Sequence, residues 1–307
     1  MPQVQDYKII SNHDGLALAV TAVIPDVPPK ALVQFAHGMA EHKARYLPVM
    51  QFLAAHGYAC IINDHRGHGA SVKDPGDLGY FYKDGGRGLV KDMNQITRHF
   101  RAQYPKLRLI LVGHSMGSLA ARAYAAQFGR DIDGLILSGS PGPNPAVGVA
   151  LALTQILTVL HRSRRSRSAL MALATTGAFG KRFKKEGRFA WLSKNPANVA
   201  AYESDPLCGF PFTLNGYRAL LNLLRVAYDE KLALRKNLPV HFMSGEDDPC
   251  APDPKGFNAA VENIRKRGCV DVSSKMYPTL RHEIFNENVQ EVYDDLLNTV
   301  ERMTTRK

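Results

Sequence analysis

The sequence predicts an α/β protein: a mostly parallel central sheet covered by helices on both faces, with one helical insertion. Three observations predict it. The chain opens on what reads as a β-hairpin, short β-rich runs then alternate with segments of helical periodicity, and one stretch, 141–228, breaks that alternation with no strand-like run at all. At 307 residues and 45% hydrophobic composition, the chain is long enough for one large core plus a smaller lobe, and too ordinary to be disordered or fibrous.

Lys8–Ile10 and Leu16–Ile24 pair as the opening hairpin, because Asn12-His13-Asp14-Gly15 supplies the positive φ that a tight turn needs. Strands follow at Ala31–Ala36, Tyr58–Asn63, Arg108–Val112, Gly134–Ser138, Val240–Ser244 and Val272–Tyr277. Helices are expected at Tyr46–Ala55, Gly88–Tyr104, Ser115–Phe128, Pro254–Arg267 and Val289–Met303. Pro141-Gly142-Pro143-Asn144-Pro145 punctuates the start of the insertion, and the rest of it reads as helices rich in Leu, Ala and basic residues. The expected division is a core of 1–140 and 229–307 with a helical lid at 141–228. A parallel sheet of this kind binds its ligand beyond the carboxyl ends of the strands.

The longest apolar stretch, Ala146–Leu160, includes Thr154, Gln155 and Thr158 and falls short of the roughly 20 residues a membrane-spanning helix needs. The N-terminal residues lack the basic, apolar and small-residue pattern of an export signal. Cys60, Cys208, Cys250 and Cys269 are widely spaced, with no CxxC pair, so neither a disulfide framework nor a zinc site is indicated. These features predict a cytoplasmic protein. The net charge of +11 is uneven: the insertion carries twelve Lys or Arg against Glu186, Glu203 and Asp205. Nucleic-acid binding would need stacking aromatics among those charges, and His161-Arg162-Ser163-Arg164-Arg165-Ser166-Arg167-Ser168 interleaves its arginines with serines only.

The chemistry is written at Gly113-His114-Ser115-Met116-Gly117. This G-x-S-x-G follows the apolar run Leu109–Val112 and precedes a helix, the context in which a serine sits on a strained strand-to-helix turn that only small neighbours permit. Ser115 is the expected nucleophile, against the plainer reading of a structural glycine turn. A serine hydroxyl needs a base, and the base an orienting acid. Both follow in the order expected for this turn: Pro239–Ser244 leads into an acidic loop, and the last strand ends in a loop carrying His282. Asp248, stiffened by Pro249, is the expected acid, while Asp247 or Glu246 could cap a helix or face solvent. The amide of Met116 and that of Met39, after the strand Ala31–Ala36 and His37-Gly38, are the expected oxyanion donors. His37, His42, His65 and His68 lie in two nearby loops but lack the helical histidine pair with glutamate of a zinc protease, so no metal is expected.

Taken together, HGMAEHKARY, DHRGHGAS, GHSMGS, SDPLCGF, SGEDDPC and RHEIFNE, spread between Ala31 and Glu287, resemble the α/β-hydrolase superfamily. Within it they resemble the monoacylglycerol lipase and lysophospholipase-like group, which includes serine aminopeptidase-type hydrolases of bacteria. The resemblance implies the α/β-hydrolase fold, a triad at Ser115, Asp248 and His282, oxyanion donors at Met39 and Met116, and no cofactor. Its lid departs from the animal lipases, with HRSRRSRS and GKRFKKEGR unusually basic.

The expected reaction is two-step cleavage of a carboxylic ester through an acyl-enzyme, on monoacylglycerol or lysophospholipid-type substrates. A short-chain carboxylesterase is the close alternative. An aminopeptidase would need an acid in the lid to hold the substrate ammonium, for which Glu203 and Asp205 are available, and a non-catalytic lipid binder would have lost the nucleophile or the base. The apolar stretch beside the basic cluster also suggests peripheral contact with anionic membranes. Oligomeric state leaves no mark on the sequence.

Overall fold

Five of the sheet's six inner strands are buried along their whole lengths, as a layer covered on both faces requires. The computed structural model describes residues 1–177, 179–251 and 254–305. Its elements run β1 (Gln3–Ile10), β2 (Ala17–Ile24), β3 (Ala31–Ala36), α1 (Leu47–Ala55), β4 (Tyr58–Asn63), α2 (Gly85–Gln103), β5 (Leu109–His114), α3 (Met116–Phe128) and β6 (Gly134–Ser138). After β6 come four helices in succession, α4 (Val147–Leu160), α5 (Ala169–Thr176), α6 (Pro196–Ser204) and α7 (Leu214–Ala227). The chain then returns to the sheet with β7 (Val240–Gly245), α8 (Pro254–Lys266), β8 (Val272–Tyr277) and α9 (Gln290–Thr305).

The eight strands are ordered β1-β2-β4-β3-β5-β6-β7-β8. The β1–β2 hairpin and the β2–β4 pair are antiparallel, and every pairing from β4 to β8 is parallel. This is the α/β-hydrolase fold. One face of the sheet packs α2, α3 and α8 around residues such as Leu89, Leu119 and Ile264, and the other packs α1 and α9 around Met50, Leu53 and Leu296.

β1 begins five residues earlier than its sequence suggested. It is an edge strand whose side chains mostly alternate between half-buried and exposed, so Gln3, Asp6 and Lys8 keep contact with water while the backbone pairs with β2. The helices of the insertion carry their own start signals: Ser168, Asn195 and Thr213 each accept a backbone N–H in the first turn of α5, α6 and α7. α7 lies against α2 and α3, and its Leu214, Tyr217, Leu221 and Leu223 join the main hydrophobic core. The end of the insertion is therefore fastened to the body of the fold. α4 packs against α7 through Leu153 and Leu157 on one side, while Ile156, Val159 and Leu160 are exposed.

Candidate active site

At the carboxyl end of β5 the chain turns sharply into α3, and Ser115 occupies the turn at φ 52° and ψ −119°, a conformation that costs a non-glycine residue of order 1–3 kcal/mol. The neighbouring glycines permit it. A Cβ on Gly113 would lie 2.8 Å from Ser118 Cα, and one on Gly117 would enter the carbonyl group of Ala36. The turn is held by the Ser115 N–H donating to Ser138 O at 2.9 Å and by the Ser118 hydroxyl donating to Ser115 O at 2.6 Å.

His282, in the loop after β8, brings Nε2 to 2.8 Å from Ser115 Oγ. Its Nδ1 lies 2.9 and 3.0 Å from the two carboxylate oxygens of Asp248, in the loop after β7. The Asp248 carboxylate also accepts from Cys250 N–H at 2.8 Å and from the Ser244 hydroxyl at 3.2 Å. Both side chains are buried. Burial on its own would depress the pKa of His282, but the Asp248 carboxylate outweighs it and holds the imidazole well above its ordinary value. Burial likewise pushes Asp248 upward, and the facing imidazolium more than compensates, leaving its carboxyl below the ordinary range. Trp191, from the insertion, lies tilted against the His282 ring at 5.1 Å, and His114 flanks it at 4.7 Å. Burial keeps His114 neutral, lowering its pKa to about 3.

The two other acids of the β7 loop stand apart. Asp247 pairs with Arg182 of the insertion at 2.6 Å, and Glu246 is exposed. The turn after β3 brings Met39 beside Ser115 and Met116 at the wall of one cavity. Neither the Met39 nor the Met116 amide has a hydrogen-bond acceptor among the described residues. Both are thus available to a ligand oxygen.

The loop histidines serve that turn. His37 Nε2 accepts from His65 N–H at 2.9 Å, which leaves its Nδ1–H to donate to Gly38 O at 2.8 Å. His68 Nε2 accepts from Ala40 N–H at 3.2 Å. Burial keeps all three rings neutral, lowering His65 to about 3 and His68 to about 4. His42 lies apart from them, 2.8 Å from Asp205. The clusters that bring three metal-binding atoms together, His42–Asp205–Cys208 and Asp248–Cys250–His282, have these hydrogen bonds already made within them.

The cavity has a volume of about 1150 Å³. One wall is apolar, built by Leu119, Leu153, Leu220, Leu221 and Leu224, and the rim carries Lys184, Arg188 and Lys255. Glu203 and Asp205 do not line it. The acids that do, Glu41 and Glu283, are both bonded to Arg45. Sequence reasoning missed these two, together with Arg45, Trp191 and Cys250. All but Trp191 did lie inside quoted motifs, Glu283 directly after His282, and Glu41 and Cys250 each two residues after an assigned residue, and that proximity was the available signal.

Residues 27–289 match the family model described as serine aminopeptidase, S33. The chain belongs to the serine aminopeptidase S33 family. It is similar to a monoacylglycerol lipase of Mycolicibacterium smegmatis, 30% identical with 93% of each chain covered. It is also similar to the monoglyceride lipase of Mus musculus, 28% identical over 96% of this chain and 89% of that one. Among solved structures it is similar to a thermostable carboxyl esterase from Bacillus coagulans in complex with glycerol, with TM-score 0.90, 26% identity, and 98% and 99% of the two chains covered.

Proposed function

We propose that this serine ester hydrolase cleaves monoacylglycerol or lysophospholipid-type esters, with Ser115 as nucleophile, His282 as general base and acid, and Asp248 as orienting acid. The single observation that carries the roles is the continuous chain Ser115 Oγ–His282 Nε2, His282 Nδ1–Asp248, in hydrogen-bond contact at both links. His282 takes the Ser115 proton as Oγ attacks the ester carbonyl, and the Met39 and Met116 amides receive the oxyanion. His282 then protonates the leaving alcohol, and water repeats the sequence on the acyl-enzyme. Asp248 fixes the imidazole tautomer and stabilises the imidazolium.

The apolar wall supports the lipid substrate, since each methylene buried there contributes about 0.8 kcal/mol. Similarity to two lipases acting on monoacylglycerols supports the glycerol head group. Residues 141–228 act in this reading as a lid over the cavity. Ile156, Val159, Leu160 and Leu170 are exposed on α4 and α5, which the chain joins through the segment carrying exposed Arg162 and Arg164, and this supports peripheral docking on anionic lipid. No helix among the described residues is long and apolar enough to cross a membrane. Four buried, unpaired cysteines support a reducing, cytoplasmic setting.

The test is hydrolysis of p-nitrophenyl esters from C2 to C16 beside a monoacylglycerol and a lysophospholipid, with Ser115→Ala as control. Rates that peak on long chains and glycerolipids and vanish in the variant are expected. Activity confined to C2–C4 would refute the lipid assignment.

A further inference from the structure

Against the oxyanion turn lies a buried charged cluster that no step above uses. Arg45, in the single turn before α1, forks onto Glu283, with Nη1 and Nη2 each 2.6 Å from a carboxylate oxygen. Nη1 also donates to Glu41 at 2.9 Å, and Nη2 to Asn198 Oδ1 at 2.9 Å. The Asn198 amide in turn donates to Glu283 at 2.8 Å. Glu41 accepts from Gly38 N–H at 2.5 Å and from the Tyr46 hydroxyl at 2.9 Å. Glu41 is 2% exposed and Glu283 4%, and the Arg45 guanidinium lies 4.9 Å from the Tyr202 ring.

These bonds join three separate pieces of chain: the turn after β3, the loop carrying His282, and helix α6 of the insertion. Glu283 follows His282 directly. Gly38 N–H is consumed by Glu41, which fixes the His37–Gly38 peptide, while His37 Nδ1–H donating to Gly38 O holds the next peptide plane, whose N–H is the Met39 amide. Burying one guanidinium among two carboxylates is costly, and replacing such a group with apolar side chains often stabilises a fold, so stability alone is a weak reason for it. Burial pushes Glu41 upward, whereas Arg45 overcomes the same push on Glu283 and brings it down to about 2, so the Arg45–Glu283 fork is the ionised pair of the cluster.

We propose that Arg45 is a positioning residue for ester hydrolysis: by forking onto Glu283 while holding Glu41, it sets the His282 loop and the Met39 amide in register around Ser115. This rests on the assignment of Ser115, His282 and Met39 given above. Arg45 acts through its two carboxylate partners, Glu41 bonded to the turn that carries Met39 and Glu283 next to His282 in the chain. Misplacing either by about 1 Å is enough to cost on the order of 100-fold in rate.

The experiment compares wild type with Arg45→Lys, which keeps the charge and loses the fork, with Glu283→Gln, which keeps the shape and loses the charge, and with Arg45→Met. Melting temperature, kcat and KM on p-nitrophenyl butyrate, and the second-order rate at which a fluorophosphonate labels Ser115 are measured. On the basis of the misplacement cost, Arg45→Met is expected to lower kcat about 100-fold and the other two about 5- to 20-fold, with KM within about twofold and labelling falling in parallel. Partial rescue by lysine relative to methionine supports positioning. The proposal is overturned if folded Arg45→Lys and Glu283→Gln proteins keep kcat and labelling within about twofold of wild type, or if KM alone changes. Those two variants decide the matter even if Arg45→Met does not fold. Wild-type protein that neither turns over nor labels, or a Ser115→Ala protein with full activity, would overturn the underlying assignment instead.

Discussion

Replacing Gly117 with alanine tests whether the serine turn and the oxyanion turn are built as one tightly packed unit. The added Cβ would penetrate the Ala36 carbonyl, with the carbonyl carbon at 2.5 Å and His37 O at 2.6 Å. These are backbone atoms at the end of β3, a fully buried central strand, and no side chain can swing away to make room. Ordinary contact is restored only near 3.5 Å, and the Ala36 oxygen lies closer still than its carbon, so α3 and the turn after β3 must separate by more than about 1 Å. That displacement acts between the Met39 and Met116 amides, which we propose receive the oxyanion. It is expected to cost on the order of 100-fold in kcat/KM and, as overpacking, about 1–3 kcal/mol of stability. Gly148 in α4 is the matched control, since a Cβ there meets nothing within 4 Å, and alanine should stabilise by about 0.5–1 kcal/mol with activity intact. The assay is kcat/KM on p-nitrophenyl butyrate together with urea unfolding of both variants. A Gly117→Ala protein within twofold of wild-type activity would refute the reasoning.

Further predictions follow from the same geometry. Asp248→Asn should lower kcat by on the order of 10⁴-fold, because the imidazole loses both its tautomer and its counter-charge, and steady-state kinetics on a short ester measure it. The base must be neutral to act, and Asp248 holds His282 well above 6.5, so kcat/KM should rise with pH through a midpoint above 6.5; any activity left in Asp248→Asn should titrate lower. Glu283 titrates at about 2 in the fold against about 4.5 unfolded, so the stability it contributes is full above pH 4.5 and is lost as pH falls toward 2, which acid titration of wild type against Glu283→Gln would display. Leu153→Trp should fill the apolar wall and lower rates on C12–C16 esters at least tenfold, the equivalent of about two methylenes of burial, while leaving C4 hydrolysis near wild type.

How far each part was legible depended on whether its determinants were local. The turn at Ser115 is set by residues within two positions of it, and Leu109–Val112 announces the buried strand beneath it, so spacing and composition sufficed. Asp248 and His282 were expected from their place after strands, and the fold brings them into contact at one corner of the sheet. The N-terminal half of β1 was missed because its partner on one side is solvent, and an edge strand lacks the dense apolar run of an inner one. The Arg45 cluster spans 238 residues between Arg45 and Glu283, and nothing near either residue signals the other. The insertion's helical character was plain, but the seating of α7 on α2 and α3 is a packing outcome that an amphipathic pattern states only as a face in search of a partner.

The central claim is that an ester's acyl group passes through Ser115. Intact-mass and peptide mapping of protein quenched during turnover of a slowly deacylated ester tests it most directly. The account predicts a stoichiometric acyl adduct on the peptide carrying Ser115, absent from Ser115→Ala and much diminished in His282→Ala. Full turnover with Ser115 unmodified, or an adduct on another residue, would contradict it.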